Sequence, residues 1–514
     1  MTTTADKTDT GISSKGLAPG TVGILGAVVI GISTIAPAYT FTAAIGPTVS
    51  AVGVQVPAII LLGFIPMLLV AFGYRELNKA MPDAGTSFTW GTRAFGPYVG
   101  WMAGWGLIIA TVLVLSNLAG IAVDFLFLLI AQITGNGAIA EMASNPFINV
   151  AVCLAFMAGA TWISYRDIST AQKVQYWFVG FQLLVLVTFG VTALVRAQSG
   201  DAVQYTPVDP SWFNVLQAPS VTSVVAGLSL SIFIFWGWDV VLTMNEEAKD
   251  PERTPGQAAA ITIIIVLGLY LLLAIGLLTF AGNGDTGLGL GNPDIQDNVL
   301  FFLSDPIMGP LGWLISLAVL SSSAASLQST ALSPARTLLA MGHYKAVPAR
   351  FAAVHPRFKT PGFAAVMSAL VASVFYAVMR FISENVLWDT ITALGMMVCF
   401  YYGITALSAV WYFRVTALTS AKRFLTQMLS PLLGGVALMV LFVQTLIDSF
   451  DPAYGSGSEI GGVGLVGILG VFMLLLGVVL MLIMRVKSPE FFRGEVLPKG
   501  VNKGDLDTKA LFIK

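Results

Sequence analysis

The chain has 514 residues, 56% of them hydrophobic and only 10% charged, with a mean hydropathy of +0.83. That composition does not suit a water-facing surface, so the surrounding solvent is lipid. A formal charge of −1 leaves no basic excess to attract nucleic acid.

A membrane helix needs about 20 apolar residues. Twelve segments qualify, near 18–46, 54–74, 98–131, 147–164, 175–195, 220–246, 258–281, 309–341, 362–380, 388–413, 425–448 and 461–484. Long apolar runs without period-two alternation exclude a barrel, so the expected fold is an all-α polytopic membrane protein with 12 transmembrane helices. Residues 1–16 read as a polar N-terminal tail rather than a secretory signal, 17–414 as a ten-helix core, 415–484 as two further helices and 485–514 as a C-terminal tail. Cys153 and Cys399 lie far apart inside apolar runs and read as small core residues.

Cytoplasmic loops of membrane proteins carry an excess of Lys and Arg. With the N-terminus inside, 24 of the 26 such residues fall on the cytoplasmic side and only Arg196 and Arg380 fall outside. A wrong helix count would reverse that sign downstream, so both termini are expected in the cytoplasm of a cell-membrane protein. The external loops 282–298 and 449–460 hold Gly, Asn, Asp and Ser and no Lys or Arg. Gly282, Gly284 and Gly287 have GxGxxG spacing, but a dinucleotide cradle needs a strand before it and a helix after it, not an external loop.

Two spans are interrupted. In the first, Gly31-Ile32-Ser33-Thr34-Ile35-Ala36-Pro37 joins a poor helix former to a proline that cannot donate one turn back. The stretch reads either as a packed kink or as an unwound segment whose freed backbone lines a cavity, with a half-helix N-terminus aimed at an anion. In the sixth, Phe233-Ile234-Phe235-Trp236-Gly237-Trp238-Asp239 sets a glycine among aromatics, followed by a carboxylate. Paired interruptions at matching positions of two five-helix halves point to a midplane binding site. Asp239 and Asp124 are acidic groups inside spans: Asp124 reads as structural near an outer end, whereas Asp239 reads equally as structural or as a coupling or gating group.

Three stretches resemble the amino acid, polyamine and organocation superfamily of secondary transporters. They are Glu76-Leu77 with Pro82-Asp83-Ala84-Gly85-Thr86-Ser87-Phe88, Ala94-Phe95-Gly96-Pro97 and Gly104-Trp105; Phe235 and Gly237 followed by Glu246-Glu247, Lys249, Asp250-Pro251, Arg253 and Pro255; and, after segment eight, Pro334-Ala335-Arg336, Ala340-Met341, Pro348, His355-Pro356 and Thr360-Pro361. The resemblance implies a LeuT-like fold of five plus five inverted helices with two added, helices 1 and 6 being discontinuous. It further implies alternating-access transport of an amino acid, or alternatively of a polyamine or other organic amine. The backbone of Gly31, Ile32, Ser33, Thr34 and Ile35 would receive the substrate carboxylate. The backbone of Phe233, Ile234, Phe235, Trp236 and Gly237 would receive the amino group, with Phe233 as an aromatic lid, while Ala110 and Thr111 would border the substrate side chain.

Proton-linked members carry a lysine in segment five, whose place here reads as Gln182. Ser321 and Ser322 resemble a sodium site of related sodium-coupled transporters, although serines also let helices approach closely. Sodium symport, proton coupling through Asp239 and uncoupled exchange therefore stay open, and no cofactor is expected. The partners are a small amino acid or amine and the bilayer; the sequence does not speak to oligomeric state. The only histidines, His343 and His355, share one loop, so an enzyme is not expected. A potassium-type uptake protein or channel is the rival class, but no TVGYG-like filter is present.

Overall fold

The computed structural model describes residues 15–500, apart from 167, 383–385 and 455. The main helices of the first part are α1 (Ile24–Ile35), α2 (Pro37–Val52), α3 (Val56–Ala80), α4 (Ser87–Phe95), α5 (Pro97–Thr134), α6 (Pro146–Tyr165) and α7 (Ile168–Gln198). They are followed by α8 (Val221–Ile234), α9 (Val240–Thr243), α10 (Thr254–Ala281), α11 (Val299–Met308), α12 (Trp313–Thr330), α13 (Leu332–His343) and α14 (Gly362–Ile382). The chain continues through α15 (Val386–Phe413), α16 (Ser430–Asp448), α17 (Leu465–Lys487) and the short α18 (Pro489–Phe492). Among the described residues ten stretches are long and apolar enough to cross a membrane, Ile24–Ala80 counting as one, and Val221–Ile234 is apolar but shorter.

Side-chain placement explains why these runs are helical and where lipid lies. Val371, Val374 and Val378 of α14 are about half exposed, as are Phe472, Leu475 and Val479 of α17. Spacings of three and four residues put each set on one helix face. Exposed apolar stripes of this kind suit hydrocarbon, with every backbone bond kept inside the helix. Inward, α12 packs on α5 and α7, α10 on α1, α3 and α7, and α15 on α3, α5 and α16. The joint of α1 and α2 lies within this inner group, α2 packing on α8 and α1 on α9.

Two ends differ from the sequence expectation. The first helix begins at Ile24 rather than near 18, because Pro19-Gly20 opposes a helical start and Thr21 and Val22 give their amides to the Glu247 carbonyl at 2.9 and 3.0 Å. Beyond α17 the chain stays docked through residue 500. Phe491 is fully buried, its ring 5.3 Å from that of Phe88, and the Gly500 amide donates to the Arg93 carbonyl at 2.8 Å. A two-residue antiparallel hairpin, β1 (Glu459–Ile460) with β2 (Val463–Gly464), turns at Gly461 and Gly462. Their φ values of 62° and 82° are the positive pair that such a tight turn requires.

Candidate functional site

The first break is made by Pro37. Lacking an amide hydrogen, it begins a new helix at α2, and Ala36 adopts the left-handed region (φ 54°, ψ 62°) to join the two. That conformation costs an alanine about 1 kcal/mol. The break is later than the sequence suggested, since Gly31 to Ile35 are all helical. Gly31 serves packing: a Cβ there would lie 2.6 Å from Thr262 Oγ1 on α10. A single glycine costs a packed helix only about 1 kcal/mol, whereas a proline removes a hydrogen bond outright. The amides of the first turn of α2 have no intrahelical acceptor, and no side chain caps them.

The second break runs from Phe235 to Asp239, between α8 and α9. Gly237 has φ 111°, and a Cβ on it would sit 3.0 Å from Thr34 Cγ2 and 3.2 Å from the Ile35 amide nitrogen. The structure therefore brings the two breaks into direct contact. Tyr270 of α10 ties them further: its hydroxyl donates to the Ile234 carbonyl at 2.9 Å and lies 2.6 Å from the Thr40 hydroxyl on α2. Aromatic rings surround the junction. Phe233 meets Tyr39 edge-on at 6.1 Å, Phe235 meets Tyr270 at 5.6 Å, and Phe64 meets Phe235 at 5.8 Å.

Asp239 is buried, and both of its oxygens are occupied. Tyr402 donates to Oδ1 at 2.7 Å and Tyr401 to Oδ2 at 3.1 Å, while Trp236 Nε1 donates to the Tyr401 hydroxyl at 2.7 Å. Asp124 is instead within electrostatic reach of Arg380. Ala110 and Thr111 are buried in α5, and the Thr111 hydroxyl donates to its own helix at the Leu107 carbonyl.

A neutral polar junction, missed in the sequence, adjoins the first break. Ser33 donates to Gln175 Oε1; Gln175 Nε2 donates to the Ala325 carbonyl at 2.9 Å and to Gln328 Oε1. Ser326 donates to the Thr34 carbonyl at 2.9 Å, and Ser329 Oγ is 3.2 Å from Ser33 Oγ. Gln182, two turns along α7, is buried with neither amide atom paired. Ser321 spends its hydroxyl on the Ala318 carbonyl, and the Ser322 hydroxyl has no partner. A usable signal existed: Ser322, Ser326, Ser329 and Ser333 recur at spacings of four, three and four, one helix face turned inward.

The Lys/Arg-rich end below the breaks is closed. Lys15 Nζ lies 2.7 Å from Asp83 Oδ2 and 2.6 Å from Glu246 Oε1, joining the segment before α1 to the α3–α4 loop and the segment after α9. Tyr344 and Thr89 donate to Asp83, each at 2.7 Å, and the Ala84 amide donates to Glu246 at 3.0 Å. Burial opposes charge on Asp83, but Lys15 beside it holds the carboxyl below the usual range. Burial likewise opposes the Lys15 ammonium, which its two carboxylates nevertheless keep above its ordinary value, while burial leaves Glu246 raised. Next to this cluster Arg336 grips Glu247 through two bonds, at 2.6 and 2.9 Å, both side chains being 1% exposed. At the opposite end a cavity of about 340 Å³ has Phe233 in its wall, together with Pro47, Ser50, Ser229 and Tyr454.

The sequence model of the amino acid permease family matches residues 22–488. The chain belongs to the amino acid permease family. It is 27% identical to a transporter of Mycobacterium tuberculosis over 365 residues, covering 68% of this chain and 73% of the relative. The low-affinity putrescine importer PlaP of Escherichia coli is 22% identical over 76% of this chain and 81% of its own. The human large neutral amino acids transporter small subunit 2 is 22% identical over 69% of this chain and 62% of its own. The crystal structure of MhsT in complex with L-phenylalanine superposes with a TM-score of 0.59 at 19% identity, covering 82% of this chain and 98% of MhsT. This permease thus shares the fold of MhsT and is a multi-pass membrane protein of a transporter family.

Proposed function

We propose that this permease carries a neutral, largely apolar amino acid by alternating access, binding it where the two breaks meet. The contact of Gly237 with Thr34–Ile35 carries the reading, because it sets three half-helix ends around one point. The uncapped amide turn of α2 offers donors and positive dipole to a carboxylate. The carbonyl ends of α1 and α8 offer acceptors to an ammonium, and Phe233, Phe235 and Tyr39 supply an apolar wall for the side chain. A polyamine would need anionic partners, yet the carboxylate at the break, Asp239, is already engaged by two tyrosines. The putrescine relative therefore weighs less here than the large neutral amino acid relative.

The twelve-span count follows when Ile24–Ala80 is divided at residues 53–55 and α8 with α9 is taken as one interrupted span. The first and sixth of these spans are then the discontinuous ones, within a core of 17–414 followed by two further helices. On this reading both termini, which lie outside the described residues, face the cytoplasm of the cell membrane, the Lys15 cluster closes the carrier on that side, and Phe233 in the wall of the outer cavity is its lid. At the α1–α7–α12 junction Ser33, Gln175, Ser326 and Ser329 bond to one another or to main-chain carbonyls, Ser322 and Gln182 stay unpaired, and no titratable side chain takes part among the described residues. We read this as exchange driven by counter-substrate, with a proton relay through Gln182 or Asp239 and a sodium site at Ser321 and Ser322 as the alternatives that the flux measurement below decides.

Uptake of labelled amino acids and amines into liposomes containing the purified protein tests this, under imposed sodium or proton gradients and with or without internal substrate. Counter-substrate-dependent, saturable flux of neutral amino acids is expected; gradient-driven flux into empty liposomes would overturn the exchange reading, and flux of putrescine alone the substrate. Phe233→Ala is expected to lower transport of every substrate, and unimpaired transport would refute its role as a lid.

A further inference from the structure

A cavity of about 680 Å³ lies away from the breaks, at the Lys/Arg-rich end. It is walled by the last turns of α3, the start of α10, the end of α15 and the segment leading into α16. Arg75, Lys79, Arg253, Lys422 and Arg423 reach it, against the carboxylates of Glu76 and Glu252. Glu76 is already satisfied, by Arg75 at 3.2 Å and by Gln427 at 2.9 Å. Among the described residues Lys79, Arg253 and Lys422 have no ion pair, so the cavity keeps a cationic excess that no described residue neutralises. On the same segment as Lys422, Leu418 and Leu425 are 70% and 51% exposed, apolar surface that borders hydrocarbon in a membrane.

We propose that this cavity binds the phosphate headgroup of an anionic membrane lipid. A phosphodiester supplies the missing negative charge, and acyl chains descending over Leu418 and Leu425 cover the exposed apolar surface. The position suits this: basic pockets between helix ends at the headgroup level recognise anionic lipids, and guanidinium groups fork onto phosphate oxygens. A free phosphate satisfies the cations but leaves the leucines bare. The site shares no residue with the breaks, so its occupancy stands or falls separately from the transport reading.

The test uses the full-length protein in nanodiscs or mild detergent, with phosphatidylglycerol, phosphatidylcholine and inorganic phosphate as probes, read by native mass spectrometry and by titration of fluorescent lipid. Phosphatidylglycerol is expected to bind at least tenfold more tightly than phosphatidylcholine. Lys422→Gln with Arg423→Gln is expected to weaken it about thirtyfold, roughly fivefold for each charge removed near the headgroups. A control that removes two other charges, Lys487→Gln with Arg493→Gln, should leave binding unchanged, since neither residue lines the cavity. Amino acid uptake by both variants in phosphatidylcholine liposomes at the wild-type rate shows that they fold. Equal binding of the two lipids, or an unchanged affinity in the Lys422 and Arg423 variant, overturns the proposal. Displacement of phosphatidylglycerol by inorganic phosphate at comparable concentration overturns the lipid assignment in favour of a soluble phosphate.

Discussion

Lys15→Met removes the cation that three separate segments share. Its side chain and that of Asp83 are fully buried, and Glu246 is 14% exposed, so the substitution strands two carboxylates in a dry site. Removing one partner of a buried ion pair costs about 3–5 kcal/mol. If the closed inner end depends on this contact, its population against the open form falls by roughly 150- to 5,000-fold at 1.36 kcal/mol per decade. Amide exchange reads this directly, because the Val22 and Lys249 amides donate across the same closure; both should exchange at least a hundredfold faster. The pH dependence changes sign. In the wild type Asp83 is depressed below 3.8, so its contribution is present above that value and is lost as pH falls through the depressed one. Lys15 is raised above 10.5, so its contribution is full below that and is lost only as pH rises past the raised value. Glu246, raised above 4.5 by burial, costs stability when ionised and is relieved as pH falls. In the variant both carboxylates oppose closure while ionised, so acidification should raise protection relative to the intrinsic exchange rate at each pH, whereas acidifying the wild type below pH 3.8 should lower it. Unchanged exchange at Val22 and Lys249, or a variant made worse by acid, would refute the latch.

Gln175→Leu leaves Ser33 and Gln328 without their buried partner and should lower stability by about 1–3 kcal/mol, seen as a reduced melting temperature in detergent. Gln182→Leu removes two unpaired buried amide atoms and should be neutral or stabilising in the same measurement; a larger loss at Gln182 than at Gln175 would invert the assignment. Gly237→Ala adds backbone strain of about 1–3 kcal/mol and presses on Thr34 and Ile35, so uptake should fall severely while the protein remains folded, as gel filtration can check. Arg336→Met strands the buried Glu247 and should cost about 3–5 kcal/mol of stability by thermal unfolding, an effect that Glu247→Gln made alongside should reduce.

The helical fold was legible because lipid imposes a length rule that sequence can satisfy or fail, and the apolar runs coincide with the helices to within a few residues. Errors fell where packing outweighs local preference. Gly31 was read as part of a break, yet α10 leans on it and keeps α1 helical to Ile35, leaving the break to Pro37. Lys15 fell within the stretch read as a polar tail, because nothing nearby in sequence discloses Asp83 and Glu246, 68 and 231 residues away. Residues 485–514 were read as a tail despite Phe491-Phe492, an apolar pair that fills the space beside Phe88 and Trp101. Gln175 was not singled out, because sequence without contacts cannot fix which turn of α7 faces Ser33.

The breaks and the Lys/Arg-rich end are held by different chemistry, and that bears on how a cycle can run. Neutral hydrogen bonds hold the breaks, each worth about 1 kcal/mol net, whereas buried ions hold the inner end. Deleting a partner overstates the cost of opening, because segments that separate into water rehydrate both Lys15 and its carboxylates, while a deletion leaves the charge buried. The truncation cost of about 3–5 kcal/mol is therefore an upper bound on what the Lys15 contact alone sets against opening, beside the Arg336–Glu247 pair. Moving a two-state equilibrium from 1:99 to 99:1 takes about 5.5 kcal/mol of differential affinity, and micromolar binding supplies about 8 kcal/mol in total. On the proposed function, a small amino acid held at the breaks would have binding energy of the size needed to open the Lys15 end, provided most of its contacts strengthen on the way; a ligand bound equally in both states would leave Lys15 in place however tight it was.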